Sequence, residues 1–91
     1  MRTRTTTNWK NLIQEEMEYY NETFDDVVSS TLTDKELLIE FYDGYGSSEG
    51  VPFTLWTKNR VYFPVVYDGA EWAKSVSRNP DGNPTSHFGG E

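Results

Sequence analysis

Residues 51–77 read VPFTLWTKNRVYFPVVYDGAEWAKSVS, three stretches of extended character separated by two pairs of turn residues. Val, Thr and aromatic side chains at every second position suit a pleated, half-buried strand. Lys58-Asn59 and Asp68-Gly69 leave room only for tight turns. Strands joined this closely lie antiparallel and side by side. An antiparallel sheet is therefore imposed before any other part of the chain is considered. On the middle stretch, Val61, Phe63, Val65 and Tyr67 share one face, which is expected to meet the core. Pro64 cannot donate to a strand ladder, so this strand is expected at an edge or bulged there. In VPFTLWT, Phe53 and Leu55 alternate with Thr54 and Trp56. In AEWAKSVSR, Trp72, Lys74 and Val76 alternate with Ala73 and Ser75, favouring a strand over a short helix.

Upstream, the period changes. Trp9, Ile13, Met17 or Glu16, Tyr20 and Phe24 recur at steps of three and four, and Leu12 widens the stripe. This predicts one amphipathic helix over about residues 8–23, capped by Thr7 or Asn8. Glu15, Glu16, Glu18 and Glu22 fall largely off the stripe and are expected to form a solvated acidic face. Glu22 would oppose the helix dipole at the C-terminal end. Val27, Val28, Thr31 and Leu32 favour a strand. Thr33 to Glu36 has the form of a capping box that would start a helix at Asp34. The aromatic and β-branched run LLIEFY favours instead a turn at 33–35 and a strand over 36–42. Residues 43–50, DGYGSSEG, form a glycine-rich connection. Residues 79–91 hold two prolines and three glycines among polar residues and read as a tail.

The expected fold is α+β: an N-terminal helix packed on an antiparallel four- or five-stranded meander sheet. A single small domain spans residues 1–78, followed by a flexible tail over 79–91. Trp9, Ile13, Tyr20 and Phe24 are expected to pack against Val61, Phe63 and Val65. A chain of 91 residues has one thin core, and an aromatic content of 15% supplies much of its buried area.

Charge divides the chain. The net charge of −7 is concentrated in residues 11–50, where eleven acids face one base, Lys35. Arg2, Arg4 and Lys10 precede this block, and residues 51–91 hold four charges of each sign. Such a field repels nucleic acid and anionic membrane and attracts a basic protein surface. The absence of cysteine excludes disulfides, thiolate chemistry and cysteine-ligated zinc. A small secreted fold often needs such staples, so a cytoplasmic location is expected. MRTRTTTNW has no apolar stretch behind its arginines and does not read as a signal peptide.

Signatures of catalysis are weak. DGYGSSEG matches neither glycine-rich phosphate-binding pattern. Asp43, Ser47 and Glu49 lack the spacing of a calcium loop. His87, the one histidine, lies in the Gly/Pro-rich tail with no nucleophile fixed beside it. No enzymatic activity, no cofactor and no metal are expected.

The remaining surface features are acids and aromatics. Tyr19, Tyr42, Tyr45, Trp56 and Tyr62 are candidate anchors, because one helix covers only one side of a sheet and Tyr and Trp dominate interface hot spots. Small, acidic, cysteine-free and aromatic-rich, the chain resembles in composition accessory proteins of bacteriophages and mobile elements. Some of those act as anti-restriction or anti-CRISPR inhibitors by occupying a nucleic-acid-binding surface. The resemblance is one of composition, not of motif. It implies an acidic protein-binding module that occupies a basic surface of a heterologous protein, without binding nucleic acid or membrane. The expected contact residues are Glu15, Glu18, Glu22, Asp25, Asp26, Glu40, Tyr42, Asp43, Tyr45 and Trp56. The rival expectation is a structural or assembly protein that self-associates, a homodimer being its simplest form.

Overall fold

The computed structural model describes residues 6–42, 50–67, 70–85 and 87. Strand β1 (Thr6–Thr7) leads into helix α1 (Trp9–Tyr19), a 3-10 turn (Phe24–Asp26) and strand β2 (Val27–Ser30). Helix α2 (Asp34–Leu37) and strands β3 (Phe41–Tyr42), β4 (Leu55–Thr57), β5 (Arg60–Tyr67) and β6 (Ala70–Ser77) follow. The main sheet is antiparallel with strand order β2-β4-β5-β6, and α1 packs on it, chiefly against β6. This is the expected N-terminal helix on a four-stranded antiparallel sheet. The strand order follows the chain except for β3, which leaves to pair with β1 in a two-stranded ribbon.

Helix α1 starts as its sequence dictates: the Asn8 side chain accepts from the Asn11 amide at 2.8 Å. It ends earlier than the expected residue 23. Asn21 adopts a left-handed conformation with φ of 55°. The Tyr20 and Glu22 amides both donate back to the Met17 carbonyl. This is a Schellman stop, which asparagine permits with little strain. The stop also redirects the chain so that Glu22 turns under the sheet instead of continuing around the helix.

The expected strand over 36–42 is corrected to a helical turn followed by two strand residues. The Thr33 hydroxyl accepts from the Glu36 amide at 3.1 Å, and the Glu36 carboxylate accepts from the Thr33 amide at 2.9 Å. This reciprocal cap outweighs the β propensity of the aromatic run. Leu37 thereby enters the core, while Leu38 and Ile39 stay exposed.

The core holds Trp9, Leu12, Ile13, Met17, Leu37, Phe41, Phe53, Leu55, Tyr62 and Ala73. The Trp9 ring lies 4.9 Å from Phe41 and 4.7 Å from Phe53, tilted against both, and its indole N–H donates to the Val51 carbonyl at 2.9 Å. The sheet is turned over relative to the expected packing. Tyr62 is fully buried under α1, whereas Val61, Phe63 and Val65 lie on the opposite face. Tyr20 is half-exposed and Phe24 packs only at the core margin. Side-chain size on β6 explains the choice. Ala73 and Ser75 are small enough for α1 to approach closely, and their alternates, Trp72 and Lys74, are not.

The face turned away from α1 carries Trp56, Val61, Phe63, Val65, Trp72 and Val76, with Lys74 among them. All are partly exposed. Trp72 also reaches the margin of the core.

Candidate functional site

The expected contact residues separate into three environments. The first is the outer face of α1. Glu15, Glu18 and Tyr19 are exposed and together line a shallow concavity of about 400 Å3. Tyr19 is 79% exposed, the most exposed large hydrophobic side chain among the described residues. Helical geometry places the three together, since residues three and four apart share a face.

The second environment is buried, and it corrects the solvated acidic face inferred for Glu16 and Glu22. Glu22 is only 9% exposed and Glu16 only 4%. The Thr57 hydroxyl lies 2.9 and 3.0 Å from the two Glu22 oxygens, and the Tyr62 hydroxyl donates to the same carboxylate at 2.5 Å. Glu16 accepts from the Ser75 hydroxyl at 2.9 Å, and the Lys74 ammonium stands 3.8 Å from its other oxygen. Arg60 joins this layer by donating from Nε to the Ser75 hydroxyl at 2.8 Å. Burial pushes the Tyr62 phenol well above the usual tyrosine range, and the hydrogen bond and negative charge of Glu22 push it further. No buried polar side-chain atom lacks a partner among the described residues, so the layer is satisfied as it stands. Its sequence signal was partial. Glu16 shares the helical stripe with Trp9 and Leu12, but nothing local announces the turn that buries Glu22.

The third environment is dispersed. Asp25 is exposed within the 3-10 turn, and Asp26 is half-buried with its carboxylate accepting from the Thr23 amide at 2.9 Å. Glu40 is exposed and accepts from Thr6 at 3.5 Å. Tyr42 pairs with Thr6 in the β1–β3 ribbon. Trp56 lies on the sheet face opposite α1. Acidic helix and Trp56 therefore sit on opposite sides of the molecule and form no common patch. Asp43 and Tyr45 lie outside the described residues, as do Ser47 and Glu49 of the calcium pattern and the Asp68-Gly69 turn. His87 is exposed. Among the described residues, no three His, Cys, Asp or Glu side chains are grouped to hold a metal ion, and no helix is long and apolar enough to cross a membrane.

No protein-family model, curated protein or solved structure matches this chain.

Proposed function

We propose that the chain is a non-catalytic, cytoplasmic protein-binding module whose outer α1 face docks on a basic surface of a heterologous protein. The observation that carries this reading is Tyr19, 79% exposed beside the exposed carboxylates of Glu15 and Glu18. An uncovered aromatic ring loses most of its water contact on docking, and the carboxylates beside it favour a cationic surround. Residues 11–50, with their excess of acids, would steer the encounter. A partner whose basic surface binds nucleic acid would be inhibited by occupancy, in line with the resemblance in composition to phage and mobile-element inhibitors.

Capture from the native host, with mass spectrometry, tests the reading. A basic partner is expected, retained less as salt rises. Glu15→Lys with Glu18→Lys, or Tyr19→Ala alone, should reduce its capture at least tenfold, while Lys58→Glu in the β4–β5 turn should not. Capture indifferent to all three changes would refute the assignment. Glu22 does not belong in this test, because its reversal would place a cation in the buried layer.

One observation favours a second reading, self-association. The sheet face bearing Trp56, Val61, Val65, Trp72 and Val76 is apolar, partly exposed and turned away from α1. A second copy meeting that face would form a sandwich of two sheets.

A further inference from the structure

A cleft distinct from the outer α1 face lies between the end of β6 and the segment that follows it, meeting the open sheet face at Val76. It measures about 710 Å3, and its lining includes Tyr20, Arg60, Ser77, Arg78, Asn79 and Asn83. That volume falls within the range of small-molecule sites. Two guanidinium groups in one cleft stand out in a chain of net charge −7.

Both guanidiniums are held mainly by uncharged groups. Arg60 donates from Nε to the Ser75 hydroxyl at 2.8 Å and from Nη2 to the Ser75 carbonyl at 3.1 Å, with its guanidinium stacked 3.5 Å from the centre of the Tyr20 ring. Arg78 donates from Nη1 to the Thr57 carbonyl at 2.7 Å, and its backbone N–H donates to the Asn59 carbonyl at 2.8 Å. Among the described residues, neither arginine is ion-paired to a carboxylate. The Arg60 guanidinium reaches an acid through a shared hydrogen-bond partner at Glu16, behind the Ser75 hydroxyl, and Glu16 has Lys74 as its own cation. Asp81 is the one acid in the lining, against two arginines. Each guanidinium retains N–H donors beyond those committed to the protein.

We propose that this cleft binds a small oxyanion ligand, a phosphate monoester or a carboxylate, through Arg60 and Arg78. A planar, always-charged fork held in place by carbonyls matches the two-oxygen geometry of such groups. The side-chain amides of Asn79 and Asn83 and the half-exposed Tyr20 ring supply contacts for the remainder of the ligand. A long polyanion is disfavoured, because the acids of α1 and the chain's net charge would repel all of it except the part inside the cleft. This site is independent of the α1 face.

The test is an amide and arginine Nε NMR titration of the full chain with inorganic phosphate, adenosine monophosphate or citrate, at fixed ionic strength with chloride as control. Saturable shifts are expected at Arg60, Ser77, Arg78, Asn79 and Asn83. Adenosine monophosphate binding more tightly than phosphate would identify the phosphate ester as the ligand class, and citrate binding most tightly would identify the carboxylate. Arg78→Ala should weaken binding by about tenfold or more, the effect of losing one charge-assisted contact. Arg78 is exposed, so this variant should keep the wild-type spectrum outside the cleft and the neighbourhood of the Thr57 carbonyl it contacts. Arg78→Lys should recover part of the affinity. Shifts reproduced by chloride, or unchanged in Arg78→Ala, would overturn the proposal. A short single-stranded oligonucleotide binding more tightly than any of the three probes would overturn its restriction to small ligands.

Discussion

Thr57 and Tyr62 both donate to the Glu22 carboxylate, and all three side chains are buried. A buried carboxylate is tolerated only while its hydrogen-bond partners are in place. Tyr62→Phe removes one donor and should cost about 1–3 kcal/mol, read from the urea midpoint at neutral pH. The same site sets a pH dependence. The Tyr62 phenol ionises at higher pH in the folded protein than in the unfolded chain, where the ordinary value is about 10. Its contribution is thus fully present below about pH 10 and is lost as pH rises beyond that. The urea midpoint of the wild type should fall in this alkaline range, and Tyr62→Phe should flatten that decline. A variant that keeps the full alkaline slope would show that another group is responsible. Gly50 gives a second residue-scale outcome. An added Cβ there would stand 2.6 Å from the Trp9 ring and 2.9 Å from both Phe41 and Glu71. Gly50→Ala should therefore destabilise by about 1–3 kcal/mol, since these neighbours are large and buried.

Helix α1 contributes through its buried stripe far more than through its charged face. Trp9→Ala should cost about 3–5 kcal/mol, with loss of packing against Phe41 and Phe53, and Glu15→Ala no more than about 0.5 kcal/mol. Equal urea midpoints for these two variants would contradict the packing described. Thr33→Ala should cost about 1 kcal/mol by opening the α2 capping box. These elements were not equally legible in the sequence. The α1 stripe and the alternation within β5 and β6 are local signals, and all three elements form where their periods place them, although α1 stops at Tyr19. The Thr33–Glu36 box was also visible, but it competed with an aromatic run of opposite preference. The side of the sheet that α1 would cover was not legible, because β5 presents apolar groups on both faces. Its outcome depends on the small side chains of β6, which are brought against α1 only by the fold. Glu22 was misplaced for a related reason. Helical extrapolation past Asn21 puts it in solvent, and a single left-handed residue returns it to the core.

At the scale of the whole molecule, the acidic face of α1 and the apolar sheet face are placed on different sides. Glu15, Glu18 and Tyr19 face outward from α1, and Trp56, Val61 and Val65 lie across the sheet from it. Salt should therefore act on the two modes of association with opposite sign. Attraction to a basic partner is screened as ionic strength rises, over a Debye length of about 8 Å at physiological salt. Repulsion between two copies, each of net charge −7, is screened as well, so contact through the apolar sheet face becomes easier. Lowering the pH toward the isoelectric point near 4.5 should have the same effect on self-association, because the repelling charge vanishes. For a self-associating chain, light scattering after gel filtration should then show a mass that grows with salt and with approach to that pH. Trp56→Lys or Val65→Lys should abolish the growth and leave capture of a basic partner unchanged. Glu15→Lys with Glu18→Lys should do the reverse, lowering capture while reducing the charge that keeps copies apart. If the sheet-face variants instead abolish capture and the helix-face variants do not, the partner's contact surface is the open sheet, and the acids of α1 serve solubility alone.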